Sequence, residues 1–491
     1  MPRLSASAGV ASTALSPRYD RAGRASGIVH LGVGAFHKAH QAVATDDAIA
    51  ASGGDWMITG VSLRSTDVAD ALNPQDGLYT LLVRGEDGVK ARVVGSIAHV
   101  LVAPREPHAV LAALTAPETK IVSLTITEKG YGFDTGTGGL DRAHPAIAAD
   151  LANPAQPTSA VGFIVEALHR RREAGLPGFT VLSCDNLPSN GHVIKRLVEE
   201  FALAARPDLS GFIAEKVTFP STMVDRITPA SVKRTFVDAA RLTGCEDMAA
   251  VETEPFTQWV IEDDFVAGRP DWAAGGAIFA ADVAPFEKMK LRMLNGTHSM
   301  LAYSGFIAGH SYVRDVMGDP ALKALVRRHM ATAARTLEPV AGLDFATYAD
   351  DLARRFANPE IAHMTYQIAM DGTQKLPQRL LEPATFALRG GQALESYAFA
   401  VAAWMRYCLG MKENGETYAL RDPREAEIEA LLAGAGRDAG SIVDRLLSLP
   451  GLFPEQLASA PEWSRAVKAR LETMLADGMR AAIDAEAKRA A

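Results

Sequence analysis

Cysteine is scarce. Three thiols, Cys184, Cys245 and Cys408, are scattered over 491 residues. They are odd in number, far apart and without metal-type spacing. That pattern excludes a disulfide framework and a cysteine-built zinc site, and it points to a reducing, cytoplasmic setting. A basic excess is also missing. The net charge is -8 and no block of Lys and Arg gathers phosphate-binding charge, so nucleic acid is excluded as a partner. No apolar run approaches the ~20 residues of a membrane span. The stretch "AFAVAAWM" at 398–405 instead has the character of a buried helix. Internal repeats and low-complexity blocks are absent as well.

What is present is a globular mixture, 48% hydrophobic and 22% charged, long enough for roughly two or three domains. The first 27 residues are rich in Ala, Ser and Arg and have no apolar signal core, which predicts a flexible N-terminal arm over 1–27. From 28 to about 284, short β-rich runs ("IVHLGVG", "WMITGVSL", "KIVSLTIT", "FTVLSCD", "KVTFPSTMV") alternate with helical patterns. Such alternation implies parallel strands joined by crossover helices. From 285 to 491 the pattern is almost wholly helical. The expected class is therefore α/β: a Rossmann-like N-terminal domain (28–284) followed by a mainly α-helical C-terminal domain (285–491).

"IVHLGVGAFHKAHQ" runs from an apolar strand through Gly32, Val33 and Gly34 into a helical stretch beginning Ala35, Phe36. Glycines at such a turn let the backbone approach a pyrophosphate, and the following helix start offers N–H groups. The third glycine of the full dinucleotide fingerprint is replaced by His37, so a plain tight turn is the competing reading. The next strand, "WMITGVSL", is followed by Arg64, Ser65, Thr66 and Asp67. Asp67 suits the adenosine ribose hydroxyls of NAD, whereas Arg64 would suit a 2′-phosphate. The acid favours NAD.

"KMKLRMLNGTHSM" (288–300) mixes core residues with Lys290, Asn295 and His298, and Glu287 stands just ahead. At ~100° per residue these four polar groups fall within an arc of roughly 140° on a regular helix. One stripe of this kind lines a cleft or, equally, forms a solvated face with a satisfied histidine.

Six motifs occur in order: "HLGVGAFHKAHQ", "SLTITEKGYG", "VLSCDNLPSNG", "FPSTMVDRITP", "EPFTQWVIEDDFVAGRPDW" and "KMKLRMLNGTHS". Together they resemble the polyol-specific long-chain dehydrogenase family, which includes mannitol dehydrogenases and mannonate oxidoreductases (fructuronate reductases). The resemblance implies metal-independent hydride transfer with NAD in a cleft between the two domains, in a monomer or weak homo-oligomer. It implies Lys290 as general base, Asn186 and Asn295 as oxyanion donors, His298 as orienter of the reacting hydroxyl, and Glu287 on the proton path to solvent. Asp225 matches a substrate-cleft aspartate; a salt bridge to Arg226 is its ordinary alternative. Lys375 matches a substrate-cleft lysine. Gln367 stands where mannitol enzymes carry arginine. "TEKGY", "KLRMLNG" and "DGTQKLPQRLL" look more like the mannonate branch. A sugar-acid carboxylate wants a fixed cation, and Lys129, Arg292, Lys375 and Arg379 are the candidates. The substrate is thus expected to be mannonate/fructuronate, with mannitol or a related polyol as the alternative. A non-catalytic dinucleotide sensor is disfavoured because it needs no general base.

Overall fold

The structure is a computed structural model that describes residues 1–127, 130–134, 136–340 and 343–489. Two compact units divide the chain, Met1–Ala284 and Pro285–Ala491.

The described residues of unit 1 form twelve strands: β1 (Ala14–Leu15), β2 (Ile28–Leu31), β3 (Ile58–Ser62), β4 (Tyr79–Gly85), β5 (Gly88–Val94), β6 (Ile97–Val102), β7 (Ile121–Leu124), β8 (Thr180–Ser183), β9 (Thr222–Asp225), β10 (Val251–Thr253), β11 (Gln258–Glu262) and β12 (Ile278–Ala280). The central sheet runs β6-β3-β2-β7-β8, and every neighbouring pair in it is parallel. The strands "IVHL", "ITGVS", "IVSL" and "TVLS" are buried throughout. Alternation divides their side chains between two cores. Val29, Leu31, Val122 and Leu124 enter one, and Ile28, Ile58, Ile121 and Leu182 enter the other.

A second sheet, β1-β5-β4-β10, is built on the antiparallel β4–β5 hairpin. It accounts for the first 27 residues, which do not form a free arm. Ala14 and Leu15 pair with Ala91 and Arg92, Leu4 is fully buried against Leu78, Val93 and Cys245, and the Arg21 guanidinium donates to the Gly95 and Ile97 carbonyls. The small apolar residues of this segment find an unpaired strand edge to cover.

Unit 2 is helical. Gly296–Ile307 and Glu395–Tyr407 pack together at its centre; the second, which contains "AFAVAAWM", is buried on every side. That is how a helix apolar all round must sit. Residues 288–300 are not one regular helix. An α-helix ends at Met289, a π-helical turn spans Lys290–Asn295, and an α-helix resumes at Gly296, whose N–H reaches back five residues to the Leu291 carbonyl. A second π turn, Pro377–Leu381, interrupts the helical run 372–389. Pro377 has no N–H and crowds the preceding turn, so a widened turn accommodates it. The two π turns pack against each other.

Candidate active site

Strand order β6-β3-β2-β7-β8 reverses direction between β2 and β7. In open parallel sheets a ligand binds at the carboxyl ends of the strands at that point. Gly32 lies there with φ +94°, and a Cβ on it would fall 2.3 Å from the Thr125 carbonyl, so only glycine fits. The Thr125 hydroxyl donates to the Gly32 carbonyl at 2.8 Å and is itself bonded to His30 Nε2 at 2.8 Å. Gly34 differs: a Cβ there would meet nothing nearer than 3.9 Å, which leaves an open cradle over the turn. Val33 packs into the space left by Gly60. Ala35 and Phe36 open the helix Ala35–Ala39, with the Phe36 ring against His40 at 4.5 Å. Asp67 is the exposed first residue of the helix after β3, and Arg64 is also exposed. Beside them a cavity of about 360 Å³ opens at the ends of β3 and β6, lined by Leu63, Ala103, Pro104, Pro107, Leu111 and Phe163 among others. A steric turn, an open cradle, an acid and an apolar slot suit a dinucleotide.

Behind the turn sits a histidine cluster that the sequence reading passed over except as a missing glycine. His37 stacks on His30 at 3.5 Å, and both are fully buried. Burial holds the His30 ring down at about 3, the His40 ring at about 4, and His37 well below its ordinary value. All three are therefore neutral packing groups at ordinary pH.

At the end of β8, Asn186 is exposed while Asn190 is buried. The Asn190 amide donates to the Asp185 and Thr222 carbonyls and accepts from the Thr222 N–H, tying β8 to β9. Asp185, unremarked in sequence, accepts from the Ile126 and Thr127 N–H groups at 2.9 Å and from the Tyr131 hydroxyl at 2.8 Å. Cys184 is buried, and burial pushes its thiol far up, which suits packing. Asp225 ends β9 and is 3% exposed. Arg226 directs its guanidinium to the Ala39 and Glu254 carbonyls, anchoring the helix after the glycine turn.

In unit 2, half-buried Lys290 opens the π turn and buried Asn295 closes it. Half-buried Glu287 lies on the helix before it. His298 follows one turn later, packed on Phe356 at 4.4 Å and edge-on to His363 at 5.1 Å. Burial first, then His363, Arg379, Arg355 and Lys375, hold His298 well below its ordinary pKa. The ring is neutral, and its buried Nε2 has no hydrogen-bond partner among the described residues. Because a π turn intervenes, the regular-helix arc drawn from the sequence does not carry across Lys290–Asn295.

The expected cations divide sharply. Arg292, expected as a substrate cation, donates to the Thr336 carbonyl at 2.6 Å and to Glu382 at 2.9 Å, so its charge has a partner within the protein. Lys375 is half committed, with Nζ on the Met370 carbonyl at 2.5 Å and Asp371 at 3.6 Å. Among the described residues Arg379 makes long contacts, 3.5 Å to the Asn295 carbonyl and 3.4 Å to Ser299 Oγ. No carboxylate among the described residues comes within salt-bridge distance of it, and burial lowers it to about 10. Lys129 lies outside the described residues. Gln367 is exposed. Among the described residues no group of three or more His, Cys, Asp or Glu side chains is arranged to hold a metal ion, and no helix is long and apolar enough to cross a membrane.

Comparison with known proteins bears on both units. Residues 26–274 match the mannitol dehydrogenase Rossmann domain, and residues 282–475 match the mannitol dehydrogenase C-terminal domain. The chain is 46% identical to the uncharacterized oxidoreductase YeiQ of Escherichia coli (strain K12), over 92% of this chain and 93% of that protein. It is 45% identical to the D-mannonate oxidoreductase of the same organism, over 96% and 97%. Among solved structures, Pseudomonas fluorescens mannitol 2-dehydrogenase in ternary complex with NAD and D-mannitol is 38% identical, with a TM-score of 0.85 over 99% of this chain and 100% of that one. With both family domains matched in order along most of its length, this chain belongs to the mannitol dehydrogenase family of oxidoreductases.

Proposed function

We propose that the chain is an NAD-dependent dehydrogenase that interconverts D-mannonate and D-fructuronate. NAD, held at the Gly32–Gly34 turn with Asp67 on its ribose, would accept the hydride from the carbinol carbon. Lys290 takes the hydroxyl proton. A partly desolvated amine is suited to this work near neutral pH. Asn295 and Asn186 donate to the oxygen as negative charge grows on it. Neutral His298 offers one donor and one acceptor, and its orphaned Nε2 fits a substrate hydroxyl. Glu287 passes the proton from Lys290 toward solvent, and Asp225 binds sugar hydroxyls. In the reducing direction Lys290 returns the proton.

The choice of a sugar acid rests on Arg379. A largely desolvated guanidinium with no carboxylate within salt-bridge distance among the described residues, reaching Ser299 next to His298, is a costly arrangement unless an anion completes it. Lys375 adds positive charge that His298 also feels. The 45% identity to a D-mannonate oxidoreductase supports this reading. The test is NADH oxidation with fructuronate and with fructose. Fructuronate should be strongly preferred. Arg379→Met should lose roughly 10–150-fold in kcat/KM with fructuronate, the equivalent of a charge-assisted contact of ~1.5–3 kcal/mol, and far less with fructose. An enzyme that reduces fructose better than fructuronate is a polyol dehydrogenase.

A further inference from the structure

The turn after β7 is strained, and one side chain bridges it to β8. Thr127, β-branched and exposed, has φ +64°, in the left-handed region that such residues avoid. Strain of this kind persists only where surroundings over-determine it, and it collects at functional sites. Here the surroundings are identifiable. Asp185 Oδ1 accepts the Thr127 N–H and Oδ2 the Ile126 N–H, each at 2.9 Å. Tyr131, fully buried and bonded to Ser183 Oγ at 2.6 Å, aims its hydroxyl at the same carboxylate. On its other side the turn is fastened to the glycine loop through the Thr125 hydroxyl and the Gly32 carbonyl. Asp185 therefore joins the ends of β7 and β8 beside the point where the sheet reverses, and it immediately precedes Asn186.

We infer that Asp185 is a positioning residue of the reaction: its carboxylate holds the strained Ile126–Thr127 turn and, through its own backbone, sets the direction of the Asn186 amide. The second half rests on the reading of Asn186 as an oxyanion donor. Asn190 donates to the Asp185 carbonyl and Ser183 Oγ accepts from the Asp185 N–H at 3.4 Å, so both help to hold this backbone, and the Asp185 carboxylate is what links it to the Ile126 and Thr127 N–H groups.

The test is a rescue. Asp185→Asn keeps the shape but offers one acceptor oxygen to two N–H donors, and its amide opposes one of them. With NADH and fructuronate, kcat should fall about 30-fold or more. The Kd for NADH, read by fluorescence, should stay within about threefold, because Gly32, Gly34 and Asp67 are untouched. Glycine adopts positive φ without strain. Adding Thr127→Gly to Asp185→Asn should therefore recover at least about tenfold of the lost kcat. A fall in kcat, NADH affinity and melting temperature together, with no recovery in the double variant, would mean a general structural role and would overturn the inference. So would an Asp185→Asn enzyme of normal kcat. Should that variant not fold, Tyr131→Phe removes one of the three donors. It should lower kcat about three- to tenfold with NADH binding held, and an unchanged kcat overturns the proposal. Asn186→Ala is measured alongside. If it is fully active, the oxyanion reading fails by itself, while the Thr127 rescue still decides the clamp.

Discussion

In the proposed function the glycine turn of unit 1 and the π turn of unit 2 serve in opposite ways. At Gly32 the backbone is the functional surface. Its conformation follows from local rules: a buried strand, a positive φ, a missing Cβ and a helix start. At Lys290–Asn295 the side chains are the functional surface. Their directions depend on a helix that departs from regular geometry and on Arg379, some eighty residues downstream. A site made of backbone is therefore tolerant of side-chain chemistry and intolerant of any added atom. A site made of side chains has the reverse sensitivity, except where the two π turns touch.

The comparison is broken most severely at the base. Lys290→Ala should cost ~10²–10⁴-fold in kcat, as loss of a general base does, while NADH still binds with near-normal Kd. Steady-state rates and fluorescence titration together check this, and near-normal turnover would remove Lys290 from the chemistry. The mirror experiment is Gly32→Ala. A methyl group 2.3 Å from the Thr125 carbonyl should weaken NADH binding by at least roughly a hundredfold, about 2.7 kcal/mol. Gly34→Ala, whose methyl clears the protein by 3.9 Å but enters the cradle, should weaken NADH binding while leaving the melting temperature unchanged. An unchanged NADH affinity in that variant would contradict the cradle.

Gly296→Ala probes the point where unit 2 also depends on a missing Cβ. The new methyl would lie 2.7 Å from the Arg379 carbonyl, an overpacking that typically costs ~1–3 kcal/mol. Melting temperature and kcat should both fall, because the turn carrying Asn295 must move. Arg292→Met sharpens the contrast between the two arginines. It should lower the melting temperature through loss of the Thr336 and Glu382 contacts, yet leave the ratio of fructuronate to fructose activity unchanged.

The smallest expected effect is acid sensitivity shared by both units. His30 is held down at about 3, and His40, His329 and His363 at about 4, each chiefly by burial. The unfolded chain takes up protons below about pH 6.5, where these folded-state rings do not. Stability is thus fully present above that pH and declines as pH falls through 6 toward 4. Melting curves at pH 7.5, 6 and 5 should show a progressive loss below 6.5 and a plateau above it.

Local signals made the strands "IVHL", "IVSL" and "TVLS" legible, since short runs buried on both faces are mostly apolar and β-branched. They also made the glycine turn legible. The β4–β5 hairpin was not read, although "GEDG" between two strand-like runs was a usable signal. The N-terminal segment looked like an arm because nothing within it shows that β5 has an open edge to cover. Asp185 carried no signal beyond its place before Asn186. Its partners, Ile126, Thr127 and Tyr131, lie more than fifty residues away.

By itself the sequence determined the alternating architecture, the glycine turn after the first strand of the central sheet and which titratable side chains the helical half carries. Periodicity, glycine stereochemistry and side-chain pKa are properties of short segments. Only the tertiary structure decided that Lys290–Asn295 is a π turn, that Arg292 is already neutralised by Glu382, and that Arg379 is not. The charge a side chain can offer a substrate is what remains after its neighbours are counted, and those neighbours come from remote parts of the chain.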